Sequence, residues 1–117
     1  GAFHTRYMEP AVAELAGFAA GLETENPTRR IWSNQAGQEI TNGKEYVDLL
    51  VGQVASSVRW DACMQSFADA GVTAVLEVSP AGALAGLAKR ALPGVEILAL
   101  KTPDQLDAAR ELIANHS

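Results

Sequence analysis

The sequence predicts an α/β fold in which layered helices pack on a mainly parallel sheet. Residues 72–78 form a short, largely apolar run rich in β-branched side chains, which is typical of a strand buried on both faces. A second apolar run at residues 95–100 predicts another strand, and segments with helical spacing separate and flank the two. Strands that alternate with helices favour crossover connections, so the sheet is expected to be parallel.

The first helix is predicted from Pro10 to about Leu22, because apolar residues recur there at helical spacing and proline suits a first helical turn. The residues at 26–28, Asn-Pro-Thr, are expected to end it. Residues 30–34 are then predicted to form a short strand, followed by a turn at residues 35–37.

Asn42 has the features of a helix N-cap, since Glu45 follows three residues later. A further helix is expected from about Val58, with Gly71 ending it. Four apolar residues form one stripe of the helix that Asn42 begins: Val47, Leu50, Val51 and Val54. The large aromatic residues Trp32, Trp60 and Phe67 are expected in the core.

Residues 79–82 (Ser-Pro-Ala-Gly) are predicted to turn the chain from a strand into a helix. Such a turn could bind an anion through backbone N–H groups, but a simple strand-to-helix connection is the favoured interpretation. The helix is expected to face inward with Leu84, Leu87, Ala88 and Ala91. Residues 102–105 predict a capping box with proline at the first position of a last helix through Ile113.

Composition limits the function classes that fit. The 117 residues, 48% of them hydrophobic, are sized for a single domain spanning 1–117. A net charge of −5 argues against nucleic-acid binding, and no apolar run is long enough to cross a membrane. No secretory signal is recognised, since the first residues have neither a basic region nor an apolar core. Cys63 is the single cysteine, so no internal disulfide can form, and a cytoplasmic location is expected.

Few residues suggest chemistry by themselves. The two histidines, His4 and His116, lie at opposite ends of the chain, so no metal site is predicted. No Gly-x-Ser-x-Gly elbow or phosphate-binding glycine loop occurs. Nothing near Cys63 would activate its thiol, which predicts a structural role, and His116 is expected to lie in a frayed tail.

Several dispersed segments, taken in order, resemble the C-terminal portion of bacterial malonyl-CoA:acyl carrier protein transacylases. They are Gly1-Ala2-Phe3-His4-Thr5 with Met8 and Pro10, Ser33-Asn34 with Gly37, residues 50–54 (LVGQV), residues 58–60 (VRW), Gly71-Val72, residues 77–80 (EVSP) and residues 84–90 (LAGLAKR). The resemblance spans nearly the whole chain. It implies the C-terminal part of the acyltransferase catalytic domain, whose core is α/β-hydrolase-like.

The resemblance implies that His4 is the general acid/base of a ping-pong acyl transfer. In that family a serine attacks the thioester of malonyl-CoA, and the phosphopantetheine thiol of acyl carrier protein then collects the malonyl group. A serine needs such a base within hydrogen-bond reach. The family orients its histidine through a backbone carbonyl, which matches Gln53 here. Replacing the Gln53 side chain is therefore expected to matter less than replacing His4.

Two residues are candidates for the substrate pocket. Phe3 precedes His4, and in related acyltransferases an aromatic residue at this position accompanies selection of malonyl over methylmalonyl groups. A single methyl group is worth only ~1–3 kcal/mol of discrimination, so Phe3 is expected to bias the choice. Asn34 follows a predicted strand, where a site residue could lie, but an Asx turn into residues 35–37 is the favoured interpretation. Lys89 and Arg90 suit a helix C-terminus and are weaker candidates for contact with an acidic carrier protein.

The expected partners are malonyl-CoA, acyl carrier protein and the missing N-terminal half of the same enzyme, which would supply the serine, an arginine that binds the malonyl carboxylate, and the oxyanion donors. No cofactor is expected, because CoA and phosphopantetheine enter as carriers of substrate. The isolated chain is predicted to be inactive. Two alternatives remain open: an acyltransferase domain of a polyketide synthase, and a non-catalytic binding module built on half of the acyltransferase fold.

Overall fold

The computed structural model describes all 117 residues, Gly1–Ser117. The chain divides into two compact units, residues 1–66 and 67–117, with the boundary inside one helix. The elements in order are α1 (Glu9–Ala19), α2 (Gly43–Gln53), α3 (Trp60–Asp69), β1 (Ala74–Val78), α4 (Ala83–Ala91), β2 (Glu96–Leu100) and α5 (Leu106–Asn115), with 3₁₀ turns at Arg6–Met8 and Pro103–Gln105. The α/β class is confirmed, and the expectation of a single domain stays a prediction.

The second unit is built on two parallel strands. β1 and β2 pair in register from Ala74 opposite Glu96 to Val78 opposite Leu100, and α4 connects them. Both strands were predicted within two residues of their observed ends, and the parallel pairing is confirmed. The prediction that β1 is buried on both faces is wrong within this chain, because four of its residues are half-buried and Val78 is 65% exposed.

In the first unit, α2 begins at the predicted cap. The side-chain oxygen of Asn42 accepts a hydrogen bond of 2.9 Å from the backbone N–H of Glu45. The Asn26 side chain accepts another, of 3.1 Å, from the N–H of Gly43, so two asparagines satisfy N–H groups that a helix leaves free at its start. α1 starts near the predicted position but ends at Ala19, three residues before Leu22.

The strand predicted at residues 30–34 is wrong. The structure contains only an isolated antiparallel bridge between Trp32 and Glu39. The turn at residues 35–37 is present. The N–H of Gly37 donates to the Ser33 carbonyl within it, and beside it the N–H of Ser33 donates to the Gln38 carbonyl and that of Ile40 to the Ile31 carbonyl. The residue types at 30–34 are typical of an extended segment, but a β-strand also needs a second strand that pairs with it along its length.

The predicted inward face of α4 is right for Ala88, which is buried, and wrong for Leu84, Leu87 and Ala91, which are exposed. Ala85 and Ala88 are the buried residues of this helix, whereas Leu84 and Leu87 are 39% and 41% exposed. Since α4 packs on both strands, its small alanines permit a close approach to the sheet and its leucines lie at the border. The three aromatic residues expected in the core, Trp32, Trp60 and Phe67, are half-buried rather than buried. The buried apolar residues are Ile40, Val51 and Cys63 in the first unit and Ala85, Ala88, Leu92, Ala109 and Leu112 in the second.

Candidate functional site

His4 has a backbone conformation that non-glycine residues rarely adopt. Its φ is +64°, in the left-handed region, which costs an L-residue roughly 1–2 kcal/mol. Two hydrogen bonds hold the segment in this form: the His4 N–H donates to the carbonyl of Val54 at 2.9 Å, and the Thr5 hydroxyl donates to the carbonyl of Ala2 at 2.6 Å. Strained residues of this kind concentrate at functional sites.

The imidazole ring of His4 is fixed at one nitrogen. Nδ1 lies 2.9 Å from the backbone carbonyl oxygen of Gln53. A carbonyl oxygen can only accept, so Nδ1 carries the proton and donates it, and Nε2 keeps its lone pair. Nε2 makes no hydrogen bond within the chain, and His4 is an exposed residue. The structure thus attaches His4 to the end of α2 through the backbone, but does not enclose its ring in a pocket.

Both oxygens that hold His4 belong to the end of α2. A helix leaves its last carbonyls without intrahelical partners, and those of Gln53 and Val54 are satisfied by the ring and the N–H of His4. The Gln53 oxygen also accepts a longer bond of 3.2 Å from the N–H of Ser56, and the Gly52 carbonyl accepts from the Ser56 hydroxyl at 2.9 Å. The C-terminus of α2 thus orients the histidine through the main chain.

The side chain of Gln53 is buried behind this contact, with only 7% of the residue exposed. Its amide nitrogen donates to the carbonyls of Ser56 at 2.9 Å and Ser57 at 3.2 Å, while Oε1 is buried and has no partner. The resemblance implied a role for the Gln53 carbonyl alone. The connection from the side chain to residues 56–57 was not foreseen, because nothing in the sequence shows where an amide on an amphipathic helix will point.

Phe3 lies beside His4, with the two ring centroids 6.5 Å apart and the planes tilted by 54°. It is 56% exposed and forms one end of an open, largely apolar groove of about 390 Å³. The groove is lined by Phe3, Met8, Ala11, Glu14, Leu15, Phe18 and Val54. Phe3 therefore lies next to His4 and lines this groove, and its part in acyl selection stays a prediction.

Asn34 does not form the expected Asx turn. The side chain that caps this turn belongs to Ser33, whose hydroxyl accepts from the N–H of Gln35 at 3.1 Å. The Asn34 carbonyl accepts from the N–H of Arg59 at 2.8 Å, and its side-chain oxygen lies 3.8 Å from the sulfur of Cys63. Asn34 and Gln53 line one small cavity of about 40 Å³, but Asn34 makes no hydrogen bond with His4.

The turn at residues 79–82 already holds an anion of its own. The carboxylate of Glu77 accepts hydrogen bonds from the N–H groups of Gly82 at 2.7 Å, Ala85 at 2.8 Å and Leu84 at 3.1 Å. These bonds, that from Ala85 foremost, hold the pKa of Glu77 below its usual range. Because the carboxylate occupies the start of α4, the favoured strand-to-helix interpretation fits better than an external anion. An acid at the end of a strand, just before a helix, was the signal that the sequence offered for Glu77.

The remaining candidates have structural environments. Cys63 is 1% exposed, and burial raises the pKa of its thiol, in keeping with a structural role. The prediction that His116 is frayed is wrong: its Nδ1 lies 2.9 Å from the Thr73 hydroxyl and its Nε2 lies 3.0 Å from the carboxylate of Glu96. No group of three or more His, Cys, Asp or Glu side chains is placed to hold a metal ion. None of the helices is long and apolar enough to cross a membrane.

Comparison with known proteins agrees with the resemblance found in the sequence. The chain is 43% identical over 112 residues to the malonyl CoA-acyl carrier protein transacylase of Mycobacterium tuberculosis, covering 96% of this chain and 37% of that protein. The malonyl CoA-acyl carrier protein transacylase of Escherichia coli is 34% identical over 109 residues, which are 35% of its length. No protein-family model matches the chain.

Solved structures give the same result for the fold. The crystal structure of MCAT from Mycobacterium tuberculosis superposes with a TM-score of 0.84 at 44% identity, over 92% of this chain and 36% of that one. The malonyl-CoA:ACP transacylase of Synechocystis sp. PCC 6803 also reaches 0.84, at 29% identity and over 37% of its length. The resemblance is therefore confirmed: nearly the whole chain is homologous to malonyl-CoA:acyl carrier protein transacylases, and it spans a little over a third of their length.

Proposed function

We propose that this chain, a relative of the malonyl-CoA:acyl carrier protein transacylases, supplies the general acid/base of malonyl transfer in fatty acid synthesis. The observation that carries the proposal is the hydrogen bond from Nδ1 of His4 to the Gln53 carbonyl, because it fixes the tautomer with a basic, unoccupied Nε2. An exposed base of this kind can take the proton of a nucleophile that lies next to it.

The chemistry needs one imidazole used twice. Nε2 of His4 takes the proton of a serine hydroxyl as the serine attacks the thioester carbonyl of malonyl-CoA, and it then gives that proton to the departing CoA thiolate. In the second half of the cycle it takes the proton of the carrier-protein thiol, the thiolate attacks the malonyl-serine, and the proton passes to the serine oxygen as the ester bond breaks. The Gln53 carbonyl accepts from Nδ1–H throughout and so stabilises the imidazolium without a carboxylate. No resident cofactor enters this scheme, because CoA and phosphopantetheine only carry substrate.

The serine is proposed to come from the part of the relatives that this chain does not match. The relatives are more than twice as long as the chain, which itself has no Gly-x-Ser-x-Gly elbow. The chain also exposes large apolar side chains, among them Phe3, Phe18, Leu22, Leu50, Val78 and Ile113. Large exposed apolar side chains favour pairing with the remaining part, or self-association without it. The isolated 117-residue chain is therefore expected to be inactive.

Acyl carrier protein is the proposed acceptor, and the end of α4 is a candidate for docking it. Lys89 and Arg90 lie in the last turn of this helix, both exposed and neither in an ion pair. Their charge complements the helix C-terminus and would attract an acidic carrier. The proposed function also includes a cytoplasmic location for the protein.

The test is malonyl transfer to a holo carrier protein, read by intact mass. The proteins compared are the chain alone and a chimera in which the chain replaces the 112 matched residues of the Mycobacterium tuberculosis enzyme. The chimera should transfer malonyl groups and the chain alone should not. His4→Ala in the chimera should lower the rate by about a hundredfold to ten-thousandfold, the usual worth of general acid–base catalysis.

His116→Ala is the matched control, because it removes the other histidine of the chain and should leave the rate nearly unchanged. Transfer by the chain alone would refute the proposal that the serine lies outside it, and full activity of the His4→Ala chimera would refute the proposed role of His4. A folded chimera without activity, together with a chain that binds the carrier, would favour the non-catalytic binding module.

A further inference from the structure

The buried side chain of Gln53 has a contact pattern that its role as a backbone acceptor does not explain. Both protons of its amide nitrogen are used, one towards the carbonyl of Ser56 at 2.9 Å and one towards that of Ser57 at 3.2 Å. The amide oxygen, in contrast, is buried without a partner. Since an unpaired buried oxygen is costly, the donor end of the amide accounts for the side chain's position.

The amide nitrogen and the backbone carbonyl of Gln53 act on the same short turn. The N–H of Ser56 donates to the Gln53 carbonyl at 3.2 Å, while the Gln53 amide donates to the Ser56 carbonyl. This reciprocal pair closes the chain at residues 54–57 directly after α2. The orientation of the Gln53 carbonyl is therefore set by the turn, and the turn is held by the Gln53 side chain.

We propose that the Gln53 side chain is a positioning residue for His4: it holds residues 56–57 so that the Gln53 carbonyl stays aligned with Nδ1 and selects the tautomer with a free Nε2. The inference rests on the proposed role of His4 in acyl transfer. It refines the expectation from the sequence that only the carbonyl of Gln53 matters. A variant without the amide donors still has the carbonyl of residue 53, but the turn that orients this carbonyl is no longer held. The carbonyl then loses its alignment with Nδ1, and the ring samples both tautomers.

Gln53→Met is the variant that isolates this effect, because methionine has nearly the same length and volume but no donor. Gln38→Met is the matched control, since Gln38 lies in the same unit, also has a buried side-chain oxygen without a partner, and makes no hydrogen bond with residues 53–57 or His4. Both substitutions remove an amide whose oxygen is buried and unpaired, and only Gln53→Met changes the turn.

The experiment is nitrogen-15 NMR of the imidazole rings in the 117-residue chain. The unchanged chain and Gln38→Met should show His4 with Nδ1 protonated, whereas Gln53→Met should shift the tautomer ratio towards Nε2–H by about tenfold, the factor expected for the loss of roughly one net hydrogen bond. A His4 tautomer that is the same in all three proteins overturns the proposal. This readout does not depend on acyl transfer, so it separates failure of the inference from failure of the proposed function.

A second measurement needs no substitution and covers the case in which Gln53→Met does not fold. In the unchanged chain, the side-chain amide protons of Gln53 should exchange with D₂O about tenfold or more slowly than those of the exposed Gln35. Equal exchange rates would mean that the amide is not held by residues 56–57, and the proposal would be wrong. In the chimera, Gln53→Met should lower kcat more than it raises KM, because substrate binding does not involve the ring tautomer.

Discussion

Two glycines of α2 should respond in opposite directions to the same substitution, Gly→Ala. Gly43 lies at the start of the helix, where an added Cβ would come within 2.0 Å of the Glu25 carbonyl oxygen and 2.7 Å of its carbon. Gly52 lies near the end, where an added Cβ meets nothing within 4 Å. The helix, the unit and the chemical change are the same, so only the local space differs.

The magnitudes follow from these distances. A backbone oxygen at 2.0 Å cannot be accommodated by a side-chain rotation, so Gly43→Ala requires the chain at Glu25 or the start of α2 to move, which costs about 1–3 kcal/mol. The same movement weakens the bond from the Gly43 N–H to Asn26, worth about 1 kcal/mol. We expect a net loss of about 2–3 kcal/mol for Gly43→Ala. Gly52→Ala should gain about 0.5–1 kcal/mol, because alanine favours a helix interior.

Urea unfolding followed by tryptophan fluorescence measures both effects, since Trp32 and Trp60 both lie in the first unit. Asn26→Ala in the Gly43→Ala background shows how much of the loss comes from the hydrogen bond. Changes of the same sign for Gly43→Ala and Gly52→Ala, or a loss below about 0.5 kcal/mol at Gly43, would refute the close approach of Glu25 to α2.

Three further predictions concern single features of the chain. Cys63 should react slowly with a thiol reagent at pH 8 and rapidly once urea is added, and fast labelling of the folded chain would contradict its burial. The pKa of Glu77 is lowered in the folded state from its ordinary value of 4.5, so its stabilising effect is present above that pH and is lost as the pH falls through the lowered pKa. Melting curves by circular dichroism at pH 7 and pH 3 should thus show a smaller pH dependence for Glu77→Gln than for the unchanged chain, with the exposed Glu111→Gln as control. Replacing Lys89 and Arg90 by glutamate in the chimera should raise KM for the carrier protein by about tenfold at low salt and leave malonyl loading unchanged. High salt should weaken the attraction in the unchanged chimera, so the difference in KM between the two proteins should shrink.

Local signals predicted the parts of the fold that local interactions determine. The Asn42 cap and the turn after Ser33 depend on residues close in sequence. The strands at residues 74–78 and 96–100 were recognised from their own residue types, although each pairs with the other. The Gln105 side chain likewise accepts from the N–H of Thr102, three residues earlier, as the capping pattern predicts. The two helix caps and the turn need no knowledge of distant parts of the chain.

The errors arise where the partner lies far away in sequence. Residues 30–34 look like a strand, but only Glu39 bridges to them, and a strand's existence depends on what pairs with it. His116 looked like a free end because its contacts, Thr73 and Glu96, lie 43 and 20 residues earlier. Residue types alone do not encode such contacts. The inward face of α4 was partly mispredicted for the same reason, because it is set by the strands on which the helix packs.

The candidate site shows the limit most clearly, because the groups around His4 belong mainly to the backbone. A search of the sequence for two side chains that could act together in catalysis finds almost nothing. The reason is that the partners of the His4 ring and N–H are the backbone carbonyls of Gln53 and Val54. Only the family resemblance pointed to Gln53. The histidine's left-handed backbone is a further property that no residue count reveals.

That backbone conformation gives a prediction which separates strain from chemistry. At φ +64°, asparagine is among the residues that adopt the left-handed region readily, whereas a β-branched residue there is an outlier. His4→Asn and His4→Val both remove the imidazole, so both chimeras should lose transfer to the same extent. Their stabilities should differ, with the valine variant less stable than the asparagine variant by about 1–2 kcal/mol in urea unfolding. Equal stabilities would mean that the left-handed conformation of His4 comes from the imidazole contact itself, and not from the chain that carries it.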